Sequence, residues 1–178
     1  KYRLDFSMGL NLTGRAKVYV DRSELKSYRF TLYHGYKVKQ VTDQTGAALD
    51  FRREYDYVTV TRGGAAVEYL CLEYTGKSPK YYSSYAGVCL PANFAYYPIP
   101  GYLELFMDSY YGFIDCSLPY DTAFDVHCSG RKQMYCNLAA RGDNHFAGNA
   151  RSITLLSGYY DTLKLNNTLV VYPKYADT

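Results

Sequence analysis

The sequence predicts an all-β chain, roughly a dozen short strands arranged as a two-sheet, saddle-like sandwich. Three observations predict it. Apolar and polar residues alternate with period two from the first residues onward, clusters of Gly, Asn and Asp punctuate that alternation, and no stretch of about 12 residues carries helical spacing. A strand places successive side chains on opposite faces, so this alternation marks strands with one face in a core.

The elements follow in order. Tyr2, Leu4, Phe6 and Met8 share one face, with Arg3, Asp5 and Ser7 on the other. Turn chemistry at Asn11–Gly14 leads to Ala16, Val18 and Val20, alternating with Lys17, Tyr19 and Asp21. Tyr28, Phe30 and Leu32 define a third strand, and Tyr36 to Val41 a fourth, closed by the turn-rich Asp43-Gln44-Thr45-Gly46. Tyr55 to Thr61 alternates again, and Arg62-Gly63-Gly64 reads as a hairpin turn to a partner strand over Ala66–Tyr74. Later strands are expected at Leu103–Met107, at Ala123–Cys128 with a hairpin turn at Ser129–Lys132 into Gln133–Leu138, and at Asn144–Ala147. The last two, Ser152–Tyr160 and Leu165–Tyr172, are read as joined around Asp161.

Between Lys77 and Gly101 the pattern breaks. Pro79, Pro91, Pro98 and Pro100 fall in this stretch together with Tyr81, Tyr82, Tyr85, Tyr96 and Tyr97. Proline cannot donate to a ladder, so this is a long irregular loop, and its aromatic content argues that it is packed down. The whole chain holds 23 tyrosines and no tryptophan. Tyr81, Tyr82, Tyr96 and Tyr97 are the candidate contact surface, a platform for sugar or peptide. The alternative is that these amphipathic rings fill strand faces while their hydroxyls reach carbonyls or water.

Composition excludes several classes. Twenty basic residues against 17 acidic give a net charge of +3, scattered and too small for a nucleic-acid footprint. No apolar run approaches the roughly 18 residues of a membrane span. Residues 1–178 are read as a single all-β domain excised from a longer protein. Cys71, Cys89, Cys116, Cys128 and Cys136 are odd in number and match no zinc spacing; they read as small buried strand residues, with one or two disulfides as the competitor. The sequons at Asn11 and Asn166 fit an extracytoplasmic setting without requiring it.

The sequence carries no recognisable catalytic motif. His34, His127 and His145 belong to no H-E-x-x-H or H-x-H pattern, so no metal or cofactor is assigned. His127 and Cys128, as strand neighbours, point to opposite faces. Asp143 and His145 would share a face, yet Ser152 and Ser157 lack a nucleophile elbow. Asp108, Asp115, Asp121 and Asp125 lie near tyrosines without marking an acidic pair in a cleft. Gly63-Gly64 is too short for a phosphate cradle, and Arg141-Gly142-Asp143 is a charged turn that matches an integrin-binding tripeptide by chance. No catalytic residue is assigned.

Tyr2-Arg3-Leu4-Asp5-Phe6 followed by Gly14–Val20 resembles the first hairpin of the amino-terminal β-domain of M1-family (gluzincin) aminopeptidases. Phe30–Val38 is similar to its next strand. The sharpest likeness is Leu72-Glu73-Tyr74-Thr75-Gly76, then Leu90-Pro91 and Ala95-Tyr96-Tyr97-Pro98. It resembles the Y-x-G, L-P, W-Y-P form in bacterial proteins that join ABC-type permease segments to an M1-like extracytoplasmic region, with Tyr96 standing where Trp is common. Asn144–Gly148, Ile153–Gly158 and Leu169–Pro173 are similar to that domain's end.

The resemblance implies a non-catalytic docking or scaffold domain. In the family the zinc ligands lie in the following domain, and the Gln or Glu that holds a substrate's amino end has no counterpart in Tyr81–Ala86. The implied partner is an adjacent domain of the same protein, M1-like or membrane-embedded. The implied location is extracytoplasmic and membrane-tethered. The rival class is a carbohydrate- or peptide-binding module using exposed tyrosines.

Overall fold

A computed structural model of the chain describes residues 1–21, 24–84, 86–103 and 116–174. Tyr85, Asp108, Asp115 and the expected strand at Leu103–Met107, apart from Leu103 itself, lie outside them.

The strands are β1 (Tyr2–Met8), β2 (Leu12–Tyr19), β3 (Ser27–Thr31), β4 (Tyr36–Thr42), β5 (Phe51–Glu54), β6 (Tyr57–Thr61), β7 (Tyr69–Gly76), β8 (Gly87–Leu90) and β9 (Ile99–Pro100). They continue with β10 (Thr122–Gly130), β11 (Gln133–Cys136), β12 (Ala139–Gly142), β13 (His145–Ala150), β14 (Leu155–Gly158), β15 (Tyr160–Leu165) and β16 (Thr168–Pro173). Among the described residues the only helical element is a 3-10 turn at Lys80–Tyr82.

The strands form four sheets in a sandwich-like arrangement. The largest runs β12-β13-β10-β1-β2-β7-β4, with β1 and β10 parallel and its other neighbours antiparallel. A four-stranded sheet runs β5-β6-β3-β9, a three-stranded one β11-β14-β8, and β15 pairs with β16 alone. One face of the large sheet carries Tyr2, Leu4, Phe6, Ala16, Val18, Leu70, Leu72, Tyr74, Phe124, Val126 and Phe146, all buried in one continuous core. The alternation read in β1 and β2 is therefore the core-facing stripe. Pro100 sits in β9, the edge strand of its sheet, where a missing N–H is tolerated.

Local pattern misassigned three connections. The expected hairpin across Arg62-Gly63-Gly64 does not form, because β6 pairs with β3 and β5 while β7 pairs with β2 and β4. The β6 hairpin instead closes on β5 through Tyr55, at φ 51°, and Asp56. Likewise the turn after β10 carries the chain into another sheet, since β11 pairs with β14. The last hairpin turns at Asn166, at φ 53°, rather than at Asp161. In the first two cases β7 and β11 pair with strands other than the one just before them in sequence, a choice no local pattern encodes; in the last, Asn tolerates the left-handed backbone of a tight turn.

All five cysteines carry free thiols; Cys71 and Cys116 are buried and the rest half-buried. Burial pushes the Cys128 thiol up to about 12 and raises that of Cys136.

Candidate functional site

The tyrosine loop was the expected contact surface, and the structure divides it. Tyr96 and Tyr97 are both 0% exposed, so they are core residues and not part of a platform. Tyr81 is 74% exposed and Tyr82 half-buried, which leaves these two on the surface.

The reason lies in hydrogen bonding. A proline-rich segment folded over a sheet buries backbone carbonyls that no ladder satisfies, and tyrosine supplies both bulk and a donor. Tyr2 Oη donates to Pro98 O at 2.9 Å, Tyr74 Oη to Tyr96 O at 2.9 Å, and Tyr96 Oη to Ile153 O at 2.9 Å. Tyr36 Oη meets Ser78 Oγ at 2.6 Å. The rings pack edge to face: Tyr96 on Tyr97 at 5.1 Å between centroids and Tyr2 on Tyr97 at 5.7 Å. Such pairs each add about 0.5–1.5 kcal/mol beyond the area they bury.

These phenols carry a consequence for alkaline pH. Burial raises the hydroxyls of Tyr2, Tyr74 and Tyr96 well above their ordinary range, and neighbouring tyrosines add to it. The folded chain then holds protons that the unfolded chain releases above about pH 10. Their contribution to stability is complete below that pH and is lost as pH rises toward the folded values. In an alkaline titration, a late step in tyrosinate absorbance should coincide with loss of the β-sheet circular dichroism. Normal titration of every tyrosine in a still-folded chain would contradict this packing.

An open groove of about 550 Å³ is lined by Met8, Leu10, Lys77, Lys80, Ser83 and Val88. A more apolar surface is the β15–β16 hairpin. Its register pairs Leu163 with Val170 and Leu165 with Thr168, so Leu163, Leu165 and Val170 share one face. Leu163 is 49% exposed, Leu165 53% and Leu169, on the opposite face, 57%. Leu169 and Val171 line a groove of about 690 Å³ together with Tyr135, Leu138 and Leu156.

One polar constellation escaped the sequence reading. His145 does not pair with Asp143; its Nε2 lies 2.7 Å from Asp125 Oδ1. His127 Nε2 approaches the same oxygen at 3.2 Å, and the two imidazoles stack at 4.0 Å between centroids with 13° between planes. Asp125 and His127 are two apart on β10, and the β10–β13 register sets His127 directly opposite His145. Burial pushes the Asp125 carboxyl up, but the His145 hydrogen bond and the charges of His127, His145 and Arg3 outweigh it and hold it below the usual carboxylate range. The legible half of the signal was D-x-H at strand period. The third member needed the strand pairing.

The other candidates stay apart. His34 stacks on Tyr55 at 4.1 Å and places Nδ1 3.0 Å from Asp56 Oδ1. Ser157 is buried within β14, and Asp121 is exposed just before β10. Arg141 and Gly142 lie on β12, an exposed edge strand.

No protein-family profile and no curated protein matches the chain. Solved structures do. An M1 zinc metallopeptidase from Deinococcus radiodurans superposes with a TM-score of 0.57 at 14% identity, over 96% of this chain and 45% of that one. An aminopeptidase N family protein from Idiomarina loihiensis gives 0.59 at 7% identity, over 95% and 31%. Leukotriene A4 hydrolase from Saccharomyces cerevisiae gives 0.55 at 11% identity, over 96% and 30%. The chain spans less than half the length of each. At such identities the likeness is one of fold, and it is consistent with the amino-terminal β-domain that the sequence resembles: this chain has the all-β fold found within M1 metallopeptidases.

Proposed function

We propose that this chain is a non-catalytic β-domain that docks against an adjoining domain of the same polypeptide, M1-like in character, through the β15–β16 hairpin. The observation that carries this is the hairpin's exposed apolar face. Leu163, Leu165 and Val170 stand in register on a two-stranded sheet that pairs with no other strand among the described residues. Contiguous apolar surface of this kind is characteristic of a contact site. The matched metallopeptidases hold this fold within a chain more than twice as long, which supports a neighbouring domain as the occupant. The Tyr81–Tyr82 surface is a second, smaller contact.

The platform reading loses Tyr96 and Tyr97 to the core, so sugar or peptide binding is not carried forward. In our reading the domain lies on the extracytoplasmic side of a membrane-tethered protein, of the permease-linked or peptidase-like kind. That part rests on the Tyr74-Thr75-Gly76, Leu90-Pro91 and Tyr96-Tyr97-Pro98 likeness alone.

The test compares hydrogen exchange of residues 160–173 in the isolated chain and in the parent polypeptide that carries its flanking sequence. Protection should appear across the hairpin only in the longer protein, and Leu163→Asp with Leu165→Asp should abolish it. The same pair should change the isolated chain's stability by less than about 0.5 kcal/mol, as exposed positions do. Equal exchange in both contexts would refute docking through this hairpin.

A further inference from the structure

We propose that Asp125, His127 and His145 form a binding site for a divalent transition-metal ion of the zinc class, on the outer face of the seven-stranded sheet and independent of the docking reading.

The donor set fits that ion. Two imidazole nitrogens and one carboxylate oxygen suit zinc and its first-row neighbours, whereas calcium and magnesium prefer all-oxygen shells. The three donor atoms lie within 4.8 Å of one another. In a tetrahedral site with bonds of about 2.0–2.1 Å, ligand atoms stand roughly 3.4 Å apart. The two contacts to Asp125 Oδ1, 3.2 and 2.7 Å, are already close to that spacing. A displacement of about 0.7 Å at His145 opens the second to that spacing. The two stacked rings, 13° from parallel, must tilt so that both Nε2 lone pairs meet at one ion, and rotation of part-exposed side chains supplies both movements.

The backbone fixes this convergence. His127 and His145 are a cross-strand pair, and Asp125 lies one pleat further along β10 on the same face. Both flanking positions on the other face, Phe124 and Val126, are buried, which pins the strand and its register.

The charges nearby are mixed. On β1, Arg3 stands in register with Asp125 and opposes a cation, while Asp5 stands in register with His127 and favours one. Each of the three side chains is between about one-third and two-fifths exposed. An ion held here therefore has solvent access, and three protein ligands leave a fourth position for water or a partner's donor group, as in open zinc sites.

The experiment uses untagged, chelator-treated chain, titrated with Zn²⁺ by calorimetry and with Co²⁺ by visible absorbance. One ion should bind per chain, with a Co²⁺ spectrum lacking a thiolate charge-transfer band, and the melting temperature should rise with Zn²⁺ concentration. His127→Ala and His145→Ala should each weaken binding at least ~10-fold, since loss of even a supporting group costs about 10–100-fold. His34→Ala should leave it unchanged. Asp125→Asn keeps the shape and should also weaken binding. Circular dichroism matching the parent shows that the variants are folded. The proposal is overturned by no saturable binding up to ~1 mM, about −4 kcal/mol, by affinity unaltered in both histidine variants, or by a thiolate spectrum that moves the site to the cysteines.

Discussion

Tyr96→Ala is expected to destabilise the chain by about 3–5 kcal/mol, the range for removing a buried aromatic side chain. The ring is fully buried and touches Phe6, Phe94 and Tyr97. Its removal opens a cavity beneath the proline-rich segment and strips the donor from Ile153 O. Tyr96→Phe isolates the second effect. It keeps the ring and should cost about 1–3 kcal/mol, the penalty of leaving one buried carbonyl unpaired. Denaturant unfolding of the three proteins gives both numbers. An alanine variant within about 1 kcal/mol of the parent would mean that Tyr96 faces solvent, and the platform reading would return.

A smaller loss is expected from Gly76→Ala, for a different reason. Gly76 ends β7, opposite both Leu12 and Tyr36. A Cβ there would stand 2.0 Å from Gly35 O and 2.9 Å from Tyr36 Cα. Those are backbone atoms, so no side-chain rotation relieves the clash and the β4–β7 pairing must move. Overpacking of this kind costs about 1–3 kcal/mol and occasionally more. Gly64→Ala is the control, because nothing lies within 4 Å of its Cβ position. It should be neutral within roughly 0.5 kcal/mol or slightly stabilising. A Gly76→Ala variant as neutral as Gly64→Ala would show that the close approach to Gly35 does not constrain this position. Gly14 is a milder case: its added Cβ meets the Tyr74 ring at 2.3 Å, so the ring that covers the glycine would have to shift.

The resemblance to M1 amino-terminal domains was carried by short strands and one loop, and the fold likeness to M1 metallopeptidases agrees with it at identities of 7–14%. Burial alternation is a property of one strand at a time, which is why it survives such divergence. The exposed apolar face of the last hairpin was hidden for the same reason. Leu163 falls between the two strands expected at the end of the chain, and only the β15–β16 register, with no third strand beside them among the described residues, puts Leu163, Leu165 and Val170 on one exposed face.

The all-β class, the inward faces of β1, β2 and β3, and the packed character of the tyrosine–proline segment are legible in the residues alone. Period-two patterning and proline chemistry are local, and they need no knowledge of partners. Tertiary structure alone decided which strands pair, since β6 with β7 and β10 with β11 are neighbours in sequence yet belong to different sheets. It also decided which of 23 tyrosines are core: Tyr96 and Tyr97 are buried because carbonyls and rings distant in sequence close over them, whereas Tyr81 has no such cover. And it brought His145 to Asp125 and His127 across a strand pair whose register no local pattern specifies. Each of these depends on contacts between segments far apart in the chain, whose relative burial is settled only when the whole core forms.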